Sequence, residues 1–164
     1  MLGVEASCPG NKRLAKDMCV ECSLDAGAAG CTGQWRCSCL NGLRCLSDES
    51  AKSLGKHEGS FYQNKLANLS DAAAPSLGNN PAYALELNGL DQLSEPAADQ
   101  LGKHRNLALN GLRSLPDAVA NGLCRHKRGA SLKLNGVTNL SNKAADSLSK
   151  DERLYLSLNS VINL

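Results

Sequence analysis

The amino-acid sequence predicts an α/β solenoid, with short parallel strands on a concave face and short helices on the convex one. Three observations predict it. A phrase recurs at a near-constant interval, leucine and alanine columns keep step with it, and within each unit the apolar period changes from two to a helical one. Leu-Asn-Gly-Leu stands at 40–43, 87–90 and 109–112; 134–137 and 158–161 are close copies, and 63–66 is a degenerate one. The asparagines Asn41, Asn64, Asn88, Asn110, Asn135 and Asn159 anchor six units of nearly equal length.

The other columns follow this anchor. Two places after it stand Leu43, Leu66, Leu90, Leu112, Val137 and Val161, and five after it Leu46, Leu69, Leu93, Leu115, Leu140 and Leu164. Ten after it come Ala51, Ala74, Ala98, Ala120 and Ala145; thirteen after it come Leu54, Leu77, Leu101, Leu123 and Leu148. Chance does not align so many columns.

Each unit reads as strand, turn and helix in that order. The strand is carried by Leu85-Glu-Leu87, Leu107-Ala-Leu109, Leu132-Lys-Leu134 and Leu156-Ser-Leu158, which alternate as a strand burying one face should. Ser47, Ser70, Ser94, Pro116 and Ser141 then mark helix starts, mostly with an acid or amide behind them. A hydroxyl accepts the free first-turn N–H groups, and an acid suits the positive end of the helix dipole. The alanine and leucine columns form the inward stripe of the helix, the alanine permitting close approach to the strands. Lys56-His57, Lys103-His104 and Arg125-His126 fall where the helix should end, where cations suit the negative terminus. That explains the histidine column more simply than a metal or pH-sensing site, because no second ligand type accompanies it. No unit buries its leucines alone, so stacked neighbours must complete the core.

A unit of this form, Leu-x-Leu-Asn-Gly-Leu-x-x-Leu-Ser-Asp-x-Ala-Ala-x-x-Leu-x-Lys-His, resembles the leucine-rich repeat family. It is similar to the cysteine-containing subclass, with Leu43, Leu90 or Leu112 where that class has its cysteine, and to bacterial members. The resemblance spans residues 38–164 as six units and implies a protein-binding scaffold without catalysis. It departs from the family at both ends: Ser38 stands where a strand should be apolar, and the last unit stops at Leu164, before its helix.

Residues 1–37 form a cysteine-rich head, since seven of the eight cysteines lie between Cys8 and Cys45. Three readings stay open for it. Cys19-Val-Glu-Cys22 is a two-residue knuckle that Cys31 and either Cys37 or Cys39 would complete as a four-thiolate zinc site. Alternatively, Cys31, Cys37, Cys39 and Cys45 are similar to the disulfide cap that precedes extracellular leucine-rich arrays, which would imply a secreted protein. In the third reading the head is not a folded unit.

Composition removes other classes. A net charge of +2 with interspersed signs gives no polybasic stripe for nucleic acid, and five aromatics (Trp35, Phe61, Tyr62, Tyr83, Tyr155) are too few for base stacking. No apolar run approaches a membrane span and no secretory signal is apparent, so a cytoplasmic location is the expectation. No catalytic triad, paired catalytic carboxylates or phosphate loop is visible, and Cys124 fills a column otherwise held by Gly55, Gly78, Gly102 and Ser149. It reads as a small residue at a helix end. The chain is therefore expected to be non-enzymatic and to bind a protein partner through outward strand positions. Two before the anchor these are Cys39, Tyr62, Glu86, Ala108, Lys133 and Ser157. Tyr62, Glu86 and Lys133 are the candidates for specificity. Asn88, Asn110 and Asn135 either add amide contacts to the partner or bond one another. The alternatives to a scaffold are a zinc or redox module at the head, carried on the repeats, and a fragment of a larger repeat protein.

Overall fold

The computed structural model describes residues 38–39, 44–124, 130–150 and 154–162. The chain is mixed α/β, with a parallel sheet and five helices among the described residues. In chain order the elements are β1 (Ser38–Cys39), α1 (Asp48–Leu54), β2 (Phe61–Tyr62), α2 (Ala74–Gly78), β3 (Leu85–Glu86), α3 (Glu95–Leu101) and β4 (Asn106–Ala108). There follow β5 (Ser114–Leu115), α4 (Asp117–Leu123), β6 (Ala130–Lys133), β7 (Asn139–Leu140), α5 (Asn142–Ser149) and β8 (Leu154–Ser157). The cysteine head, with Cys19, Cys22, Cys31 and Cys37, lies outside the described residues, as does the Arg125-His126 pair.

The larger sheet has six strands in the order β1-β2-β3-β4-β6-β8, every neighbouring pair parallel. Ser38 pairs with Phe61, Phe61 with Leu85, Leu85 with Leu107, Leu107 with Leu132 and Leu132 with Leu156. Each residue in that chain of partners stands three places before an anchor asparagine, from Ser38 before Asn41 to Leu156 before Asn159. Strand register and sequence period are therefore one quantity. The helix leucine always stands thirteen places after its asparagine, so all the length variation falls between that leucine and the next strand.

Inside lie the expected columns. Phe61, Leu85, Leu107 and Leu132 are buried from the strands, Leu66, Leu90, Leu112 and Val137 from the turns, and Leu54, Leu77, Leu101, Leu123 and Leu148 from the helices. They join in one continuous apolar cluster that runs from unit to unit. Gln63 is the exception. It occupies the inward column of Leu87, Leu109 and Leu134, is 1 % exposed, and neither its Nε2 nor its Oε1 has a hydrogen-bond partner.

All four serines of the column accept an N–H three residues on, Ser70 from Ala73 at 3.1 Å, and in three cases the helix follows directly. Ser47, Ser94 and Ser141 cap α1, α3 and α5, accepting the N–H groups of Ser50, Ala97 and Ala144 at 3.3, 3.2 and 3.0 Å. Hydroxyls of the same column also link neighbouring units: Ser70 donates to the Asp48 carboxylate at 2.6 Å, Ser94 to Asp71, and Ser141 to Asp117. Pro116 begins α4 without a side-chain cap. At Ser70 the expected start is displaced, and α2 begins only at Ala74. Pro75 has no N–H to send back to Asp71, so the first turn after Ser70 closes instead through Ala73 and Ala74 N–H, both on the Ser70 carbonyl at 3.1 Å.

At the helix ends the backbone stays right-handed, so the glycines there serve contact rather than conformation. A Cβ at Gly55 would lie 2.5 Å from the Ser76 carbonyl oxygen of the next unit, and one at Gly78 or Gly102 would collide with the Gln100 or Gly122 carbonyl. Beyond them, His57 and His104 N–H groups close on the Leu54 and Leu101 carbonyls at 2.9 Å, and the buried His104 ring places Nδ1 3.1 Å from the Asn106 carbonyl. In the second unit Asn80 takes this place. Its Nδ2 donates back to the Leu54 carbonyl at 2.8 Å, and its Oδ1 accepts from Ala82 N–H at 2.6 Å.

A second, two-stranded sheet pairs β5 with β7 in parallel, which the sequence pattern does not anticipate. It belongs to a stack of turn segments: Ala67 N–H donates to the carbonyl of Arg44, Thr138 to that of Arg113 and Ile162 to that of Thr138. Among the described residues no helix is long and apolar enough to cross a membrane.

Candidate functional site

Alternation along a strand sends every second side chain away from the core. Tyr62, Glu86, Ala108 and Lys133 are direct partners across β2, β3, β4 and β6, so they form one row over the outer face of the sheet. Around this row lies a depression of about 370 Å³, bounded by Tyr62, Tyr83, Glu86, Asn106, Ser131 and Lys133. Its floor includes Ala108, which is buried although it points outward, because its methyl lies below its longer neighbours. Glu86 and Lys133 stand on opposite sides of that floor.

Two hydrogen bonds fix the walls. Asn106 Nδ2 donates to the Tyr83 carbonyl at 2.7 Å, holding the segment that carries Tyr83, whose side chain is 70 % exposed. Asn88 Nδ2 lies 3.3 Å from Glu86 Oε2 and donates to it. Lys133 is exposed, and Tyr62 and Tyr83 line the depression together with Glu86 on the side away from it.

The asparagines are placed differently from the row. Asn88 Nδ2 donates to Asn64 Oδ1 at 2.9 Å, and Asn110 Nδ2 to Asn88 Oδ1 at 2.9 Å. The backbone N–H groups of Asn110 and Asn135 donate to Oδ1 of Asn88 and Asn110 at 3.2 and 3.0 Å, and the Ser157 hydroxyl donates to Asn135 Oδ1 at 2.7 Å. Each amide thus receives the chain of the next unit as it leaves its strand; Asn88 and Asn110 satisfy a backbone donor there. Asn88, Asn110 and Asn135 thus take part in bonds from unit to unit. The glycine that follows keeps the turns close: a Cβ on Gly111 or Gly136 would collide with the carbonyl of Asn88 or Asn110.

Of the residues expected to carry specificity, the structure therefore brings Tyr62, Glu86 and Lys133 to one depression and sets Asn88, Asn110 and Asn135 in a ladder beside it. Tyr83, Asn106 and Ser131 are additional. Asn106 and Ser131 belong to the column four before the anchor, which the period-two rule also turns outward; Tyr83 precedes its strand and carries no such signal.

A second hollow of about 380 Å³ lies on the helix side, between α2, α3 and α4, and is acidic through Asp71, Glu95 and Asp99. Asp71 is already engaged by Ser94 there. Among the described residues no group of three or more His, Cys, Asp or Glu side chains is placed to hold a metal ion, and Cys45 and Cys124 are not in disulfides. Cys124 ends α4 and packs against the core. No protein-family model matches the chain, and no curated protein and no solved structure matches it.

Proposed function

We propose that this chain is a leucine-rich repeat solenoid that binds a protein partner through the outer face of its strands, with no catalysis of its own. The identity between the sequence period and the strand register supports the repeat reading. Inward leucine columns that connect unit to unit support it further.

The observation that carries the binding reading is the depression over β2, β3, β4 and β6. It gathers two tyrosines, an acid and an amine above a floor of buried Leu107 and Ala108. Tyrosines provide large contact area at small entropic cost, and charged groups at a rim set orientation and rate of encounter. A regular scaffold with variable outward residues separates stability from recognition.

The test is affinity capture from an extract of the cells that make the protein, with the native chain and with Glu86→Lys and Lys133→Glu. Both variants are expected to keep the native far-UV circular dichroism and unfolding midpoint while losing the captured partner. Undiminished recovery by both variants would refute this reading.

A further inference from the structure

The proposed binding face has a polarity of its own. Tyr62, Glu86, Ala108 and Lys133 stand in register on four adjacent strands, the acid and two phenols at one side of the alanine floor and the amine at the other. With strands about 4.8 Å apart, the Cα atoms of Glu86 and Lys133 are roughly 9.6 Å apart, two strand spacings.

We infer that the depression takes an extended stretch of a protein partner carrying a basic side chain and, two residues away, an acidic one. This rests on the partner-binding reading above. In an extended peptide, residues i and i+2 face the same way about 7 Å apart, and their side chains splay outward to cover the remaining distance. Residues i and i+1 of an extended chain face opposite sides, so the two-residue spacing is the one that presents both charges to the surface. The basic group lies over Tyr62 and Tyr83 and against the Glu86 carboxylate, since ring faces and a carboxylate both attract a cation. The acidic group pairs with Lys133. Between them the peptide passes over Ala108, where no longer side chain lifts it away, beside the Asn106 amide and the Ser131 hydroxyl.

Charge complementarity selects this occupant. A nucleic acid would meet Glu86 with its phosphates, and a wholly apolar segment would leave both charges uncompensated.

The experiment is a titration of the full chain with four fluorescent peptides: Ser-Arg-Ala-Glu-Ser, its neutral form with Gln at both charged places, and the Arg-Ala-Arg and Glu-Ala-Glu forms. The Arg-Ala-Glu peptide is expected to bind about tenfold more tightly than the neutral one, as complementary charges at a rim allow. Glu86→Lys should shift the preference to Glu-Ala-Glu, and Lys133→Glu to Arg-Ala-Arg. Glu86→Gln and Lys133→Gln, which introduce no new charge, should each lose discrimination at one place only. Equal binding of all four peptides by the native chain, or a preference that survives both reversals, overturns the inference. If the peptides do not discriminate while the reversals still abolish capture of the partner, this inference fails and the partner-binding reading stands. If capture also survives, both fail.

Discussion

Replacing Gln63 by leucine should stabilise the protein, and the size of the gain follows from where the amide sits. Gln63 lies in a column whose other buried members are Leu87, Leu109 and Leu134, and its side-chain Nε2 and Oε1 have no partner. A buried polar group left unsatisfied costs about 1–3 kcal/mol. Leucine removes that cost, and its shape already suits the column. For a chain of this size, ~1 kcal/mol moves the thermal midpoint by roughly 2–4 °C, so Gln63→Leu should raise it by about 2–12 °C. Urea titration followed by circular dichroism would give the free energy, and amide hydrogen exchange should show the added protection centred on β2 and the turn after it. Gln63→Ala provides the opposing control, since it removes the amide but opens a cavity and should not stabilise comparably. An unchanged or lowered midpoint in Gln63→Leu would show that the amide is already compensated in solution, and the reasoning would fail.

Two further outcomes test the stacking. Gly136→Ala should destabilise by about 1–3 kcal/mol, because its Cβ would collide with the Asn110 carbonyl and force two turns apart; a urea midpoint equal to that of the native chain would contradict this. Asn110→Ala should lose about 1–3 kcal/mol by stranding the Asn135 N–H; a midpoint in chemical denaturation equal to that of the native chain would remove the backbone role assigned to Oδ1.

The strands were legible because one interval governs both sequence and sheet: the spacing of the asparagines is the spacing of the paired residues. Four of the five turns into a helix were legible for a local reason, a hydroxyl that accepts a first-turn N–H, and at three of them the helix begins at once. The late start of α2 also has its cause in the sequence, at Pro75, but the repeat pattern overrode it. β5 and β7 left no such mark. Ser114-Leu115 and Asn139-Leu140 read as turn, and only the stacking of neighbouring units brings their backbones within hydrogen-bond reach. In the candidate site, one outward column was read and the next, with Asn106 and Ser131, was not, though the same alternation exposes both. Tyr83 reaches the depression from outside any strand, held by a bond from Asn106 that no periodicity encodes.

The fixed span from asparagine to helix leucine, set against return segments of varying length, has a consequence for how such a surface can change. Small insertions and deletions are absorbed on the path back to the strand, upstream of the ladder that fixes the next turn. Tyr83 lies on one of those paths. The edge of the depression can therefore be recut by altering loop length, much as a mould is trimmed at its lip, while the strand spacing and the leucine interior keep their dimensions. Shape at that edge and identity along the row can therefore vary independently of each other and of the interior that supports them.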